Sequence, residues 1–268
     1  MKRIAFFILL MINSNLHSQN LRISYGYNFI QDSLHTYHIS KEIVFLDVSE
    51  KGSNFYSRSR YLNDSLAFHK NIKTNPHQSK IDFSVKKSAS QDIFVNTKIG
   101  NSLYSFQEKE KLNWVIFPEK KIIMDMEVQK ATLDFGGRKW IAWFTNAVPI
   151  QDGPYIFRNL PGLILSIEDD KKQHSFSVIG IERREIPFEL EKLNHKLISK
   201  KEFNTRWKAY KKDPNFELKS LSARTNTKFA IEWNGEMISQ NEIYKREEER
   251  ARKEILHNNN FIDLDLYK

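Results

Sequence analysis

The chain has 268 residues, with 42 Lys and Arg against 33 Asp and Glu, a formal charge of +9. Aromatic residues make up 13% and glycines number only 9, which excludes a low-complexity linker and suits one large domain with packed sheet faces. Cysteine is absent, which excludes disulfides, an acylated lipobox cysteine and thiolate-held metals.

Lys2-Arg3 followed by the apolar run Ile4 to Ile12 reads as the start of a signal peptide. The run is far shorter than the roughly 20 residues of a membrane span. Polar Asn13 to Ser18 follows, and cleavage after Ser18 is expected. The expected product is exported, periplasmic or secreted, with residues 19–268 forming one β-rich domain. Losing Lys2 and Arg3 leaves a net charge of +7, a moderate attraction to anionic surfaces or partners. No basic cluster interleaved with aromatics is present, so nucleic acid is not an expected partner.

Leu21 to Ile30 alternates, with Ile23, Tyr25, Tyr27 and Phe29 on one face. Glu42 to Val48 is apolar, and Lys51-Gly52-Ser53-Asn54 turns the chain into Phe55-Tyr56, which predicts a hairpin. Residues 60–90 read as a long polar loop, helical in part. Ile93-Phe94-Val95, Leu103 to Phe106 and Trp114 to Phe117 are three further strands at short spacing. Met124 to Phe135 and Lys139 to Thr145 form the clearest hairpin, turned at Gly136-Gly137. Connections this short favour antiparallel pairing. The expected fold is mainly β: an antiparallel meander, curling toward an open half-barrel, with one or two C-terminal helices between about 199 and 257.

Asp152-Gly153-Pro154-Tyr155-Ile156-Phe157-Arg158-Asn159-Leu160-Pro161-Gly162-Leu163-Ile164-Leu165 packs two Pro-containing turns and an apolar run into fourteen residues. Pro161-Gly162 has the order of a type II turn, and Pro154 keeps its neighbour out of a central ladder. Leu163 to Ile167 reads as a strand buried at its start. Glu168 to Lys172 reads as a charged turn, and His174 to Ile181 as an alternating strand.

Asn159-Leu160-Pro161-Gly162-Leu163-Ile164 resembles the hexapeptide Gly-Leu-Pro-Gly-Leu-Ile of the GLPGLI family, uncharacterised exported proteins of Bacteroidota. The resemblance extends upstream through Ala131-Thr132, Phe135, Gly137 to Trp140, Ala142 to Phe144 and Pro149-Ile150, and downstream through Glu168-Asp169 to Gly180-Ile181-Glu182. Asn159 stands where the family usually has glycine, and Val128 near where many members carry cysteine. The family has no established activity to transfer. Its members are often encoded beside TonB-dependent outer-membrane receptors, which implies an accessory role.

Ser199 to Tyr210 is amphipathic, with Phe203, Trp207 and Tyr210 at i, i+4, i+7; Ser199 caps it, Glu202 completes a capping box, and Pro214 ends it. Phe229 to Trp233 is a short strand. Ser239 to His257 is a charged helix laced with Glu–Arg and Glu–Lys pairs, and the apolar residues after Asn258 can pin the C-terminus.

Chemistry-bearing patterns are sparse. His35 and His38 stand three apart, and the eight histidines include no His-Glu-x-x-His and no His-x-His. No Gly-x-Ser-x-Gly elbow or glycine-rich phosphate loop is present. No catalytic residue, cofactor or metal is therefore expected. The candidate recognition face is Arg138, Lys139, Trp140, Trp143, Tyr155, Phe157 and Arg158, beside Asp152, Gly153, Pro154 and the 159–164 hexapeptide. Basic and aromatic side chains of this kind anchor partners when exposed. The leading expectation is a non-catalytic binding or accessory protein of the envelope, partnered by an outer-membrane receptor or another envelope protein. Two alternatives stand beside it: a carrier with an apolar ligand in a half-barrel cavity, and a hydrolase built on Asp152 with His174 or His195.

Overall fold

The computed structural model describes residues 20–70, 77–184, 194–225, 231–233 and 236–268. The expected signal segment and the first residues of the expected 229–233 strand lie outside these. The first half contains β1 (Asn20–Ile30), β2 (Ile39–Ser49), β3 (Gly52–Ser57), α1 (Arg58–Lys70), β4 (Ser84–Ser88), β5 (Ile93–Ile99) and β6 (Ser102–Glu108). A second group follows: β7 (Val115–Ile123), β8 (Met126–Phe135), β9 (Arg138–Thr145), β10 (Leu163–Asp169) and β11 (His174–Arg184). The C-terminal part contains β12 (Lys196–Leu197), α2 (Lys200–Lys212), α3 (Phe216–Thr225), β13 (Ile231–Trp233), β14 (Glu236–Ile238) and α4 (Gln240–His257). No described helix is long and apolar enough to cross a membrane.

The fold is mainly β, as expected: one open sheet of twelve strands, a two-stranded β13-β14 sheet, α1 after β3, and α2, α3 and α4 in the C-terminal part. The order is β12-β6-β5-β4-β3-β2-β1-β11-β10-β9-β8-β7, antiparallel except for β12 against β6. Two meanders, β1 to β6 and β7 to β11, are therefore joined by the pairing of β1 with β11. This topology forces curvature. β6 and β7 lie ten strand spacings apart, about 48 Å along a flat sheet. Residues 109–114 connect them, and six residues reach at most about 25 Å. The sheet must roll until its two edges approach one another.

Rolling creates a concave face, and the alternating side chains of β1 point into it. Ile23, Tyr25, Tyr27 and Phe29 are all buried, with Tyr27 stacked on Phe176 at 4.1 Å between ring centres. The space is filled. Tyr155, Ile156, Phe157 and Leu160 enter from the loop after β9, Phe203 and Trp207 from α2, and Ile262 and Leu266 from the tail. Among the described residues, these side chains occupy the concave face where the carrier alternative places its ligand. α2 begins as expected, with the Ser199 hydroxyl accepting from the Glu202 amide at 3.0 Å.

Four local expectations need correction. The 60–90 segment holds a helix and a complete strand, β4, whose Lys87 points inward. The β7–β8 turn takes Met124 and Asp125, both at positive φ, so β8 starts at Met126. Pro161-Gly162 is not a type II turn. The Gly162 amide donates to the Leu160 carbonyl at 2.7 Å, and Gly162 sits at φ 152°. A Cβ there would lie 2.0 Å from the Thr145 carbonyl oxygen, so only glycine fits. Lastly, Asp169 is no solvated turn residue; it is fully buried.

Candidate functional site

The motif loop is built to face inward. The Phe157 amide donates to the Pro154 carbonyl at 3.1 Å, closing a turn whose first central residue, Tyr155, has φ 51°. Asp152 and Arg158 form an isolated antiparallel bridge across it. Asn159 adopts φ 71°, the left-handed angle that asparagine tolerates among non-glycine residues. The Asp152 carboxylate accepts from the Ser53 hydroxyl and from Lys87, whose ammonium also donates to the Gly153 carbonyl at 2.7 Å. Burial pushes the Lys87 ammonium below its ordinary range, and Asp152 opposes that. The ion pair fixes the loop to β3 and β4 from beneath.

A second buried network holds the C-terminal tail. Arg138 donates to Asp169 at 2.9 Å, to Asn260 Oδ1 at 2.6 Å and to the Phe261 carbonyl at 2.7 Å. His174 Nε2 lies 3.0 Å from the Asn260 carbonyl, which only accepts, so this nitrogen carries the proton. Nδ1 then accepts from the Tyr27 hydroxyl at 2.7 Å. Burial first, then the positive charge of Arg138, lowers the His174 pKa to about 3. Asp152 and His174, the expected pair of a hydrolase, are thus engaged in separate networks. His195, the alternative partner, stands just before β12.

The expected recognition face does not assemble. Arg138, Trp140, Tyr155 and Phe157 are buried, and Trp140 is 0% exposed. They alternate inward on β9 or lie in the loop that plugs the concave face, so no partner can reach them. Lys139 is exposed and Trp143 half-buried on the opposite face of β9. The Trp143 ring is covered by Lys121, whose ammonium stands 4.0 Å from the ring centre. Arg158 is partly exposed, yet its Nε and Nη1 are buried without a hydrogen-bond partner among the described residues. Of the motif residues, only Asn159 and Pro161 are exposed.

Two arrangements were not legible as sites. The first is a groove of about 640 Å³ between the β5–β6 turn and helices α2, α3 and α4. Its walls include Ile99, Tyr210, Phe216, Leu218 and Leu221, and its cations are Lys196, Arg206, Arg224 and Arg250. Phe216 and Leu221 are 60% and 53% exposed. A usable signal was the apolar Phe216 and Leu221 five apart, just after Pro214. The second is a cluster of Asp32, His35 and His257, whose nitrogen and oxygen atoms all lie within 4.8 Å of one another. Among the described residues it is the group able to hold a metal ion.

A family described as "Protein of unknown function (Porph_ging)" matches residues 82–166, about a third of the chain. The matched span runs from just before β4 into β10 and includes the motif loop. Comparison with curated proteins finds no match. Two crystal structures of PNGF-II, in space groups C2 and P21, are similar at 13% identity, with TM-scores of 0.48 and 0.49. Each covers 68% of this chain, and this chain spans 31% of their length. A likeness at that level carries nothing about activity.

Proposed function

We propose that this chain is an exported envelope protein that binds its ligand without transforming it, and that the ligand is an amphiphile with an anionic head group. The groove between α2, α3 and α4 carries this reading. Its volume falls in the range of small-molecule sites, roughly 300–1,000 Å³. Large apolar side chains left open to water on such walls mark a binding surface. Lys196, Arg206, Arg224 and Arg250 outnumber Asp213 and Glu247 on the groove walls and favour a carboxylate or phosphate head, although Arg206 and Arg250 also pair with Glu202 and Glu247, while Phe216, Leu218 and Leu221 suit a hydrocarbon body. The resemblance to GLPGLI proteins adds the expected partner, an outer-membrane receptor that the loaded protein would serve.

The test is a fluorescence titration of the purified protein with a dansyl-labelled long-chain fatty acid. Saturable binding is expected, with at least tenfold weakening in Leu221→Asp and in Arg250→Glu and no change in Trp143→Ala. No saturable signal in the unaltered protein, or equal affinity in the groove variants, overturns the reading.

A further inference from the structure

We infer that Asp32, His35 and His257 form a zinc site that joins the β1–β2 connection to the C-terminal end of α4. Asp32 Oδ2 lies 2.7 Å from His35 Nδ1 and 3.0 Å from His257 Nδ1. Two imidazole nitrogens thus converge on one carboxylate oxygen from segments 225 residues apart. Two imidazoles and a carboxylate, with a fourth position open, are a usual donor set for Zn²⁺. Zinc bonds of about 2.0–2.2 Å in a tetrahedral arrangement place ligand atoms about 3.4 Å apart. The Asp32–His35 and Asp32–His257 spacings are about 0.7 and 0.4 Å shorter than this, and the two imidazole nitrogens lie within 4.8 Å of one another. Small side-chain rotations open them, and the two rings, 46% and 58% exposed, are free to make these rotations.

The backbone already holds the donors in place. Asp32 Oδ1 accepts from the Leu34 amide at 2.9 Å, which orients the carboxylate and leaves Oδ2 facing the imidazoles. The His35 amide donates to the Asp32 carbonyl at 3.1 Å. Across the junction, the Asn259 and Asn260 amides both donate to the Gln31 carbonyl at 3.0 Å, and the Ser33 amide donates to Asn259 Oδ1 at 2.9 Å. Such outer bonds position first ligands and preserve affinity. His257 also lines a cleft of about 360 Å³ with Lys80, Lys98 and Glu254.

The experiment is calorimetric titration of EDTA-treated, dialysed full chain with ZnCl₂, with absorption spectra of the Co²⁺-loaded protein alongside. One ion per chain is expected, with the intense visible bands of four-coordinate cobalt. His35→Ala and His257→Ala should each weaken binding at least tenfold, and the double variant should lose the saturable phase. Both histidines are exposed, so unchanged circular dichroism should accompany the loss. No one-to-one phase in the unaltered chain overturns the site, as does undiminished affinity in the double variant. Weak six-coordinate cobalt spectra that the double variant shares would also overturn it. The fatty-acid titration is independent of all these readouts.

Discussion

Buried polar side chains decide the tertiary arrangement here, and they were the least legible residues in the sequence. Lys87 reads as a surface lysine in a polar stretch, and Asp169 as part of a charged turn. Each became core through a partner far along the chain, Asp152 and Arg138, and neither local pattern nor spacing announces such a pair. Asp32 and His257, at the surface, were equally illegible as a pair, being 225 residues apart. Breaking a buried pair strands a charge, which costs about 3–5 kcal/mol, so these contacts define where segments sit even when their net stabilisation is small. His174 offers a measurable consequence. Its imidazole is neutral in the fold with a pKa of about 3, against an ordinary 6.5. Between these values the unfolded chain binds the extra proton, so stability is full above about pH 6.5 and falls as pH drops toward 3. The loss should be on the order of 5 kcal/mol by the acid end. Urea midpoints measured from pH 7 to pH 4 should fall steeply in the native chain and much less in His174→Gln. Parallel slopes would show that another group governs the acid limb.

Elements with strong periodicity were legible, and those whose faces are mixed were not. β1 was read from the alternation of Ile23, Tyr25, Tyr27 and Phe29, and α2 from its cap and from Phe203 and Trp207. β4 was missed because its five residues, Ser-Val-Lys-Lys-Ser, carry one apolar side chain. The motif loop was readable as turn-rich and apolar, but its direction was not: aromatics in a loop suit a recognition face and a core plug equally. β7 raises a different question, since it is the exposed edge of a twelve-stranded sheet. Val115, Ile116 and Ile122 are 56%, 46% and 66% exposed, a composition that invites pairing with another chain. Three features oppose it: Pro118 removes a donor, the register shifts between Ile116 and Lys120, and Lys120 and Lys121 add charge. Replacing Pro118, Lys120 and Lys121 together by valine should convert a chain with concentration-independent mass into one that associates as concentration rises. Light scattering after size exclusion reads this directly, and unchanged mass up to high concentration would mean that other features protect the edge.

At the scale of the whole molecule, the rolled sheet is sealed by its last residues. Asn260 and Phe261 bond Arg138 and His174, Asn260 Nδ2 donates to the Ile30 carbonyl at 2.9 Å, and Ile262 and Leu266 are buried in the core. Deleting residues 259–268 removes two buried aliphatic side chains worth about 2–5 kcal/mol each and strands Arg138's remaining donors. That exceeds much of the 5–15 kcal/mol available to a domain, so the truncated chain should show no cooperative unfolding transition by circular dichroism. A sharp transition in the truncated chain would mean that the tail is dispensable. The overall architecture, an open antiparallel sheet with terminal helices, was legible from short strand spacing, whereas the joining of the two meanders was not, because nothing local marks β11 as the partner of β1. That joining also sets a timetable. β1 is made early, but the neighbour on its second side begins at His174, roughly 150 residues later. At about 5–20 residues per second, β1 waits on the order of 10–30 s with one flank unzipped. Until β11 is available Tyr25 and Tyr27 lack part of their cover, so the centre of the sheet is completed only after most of the chain is in place.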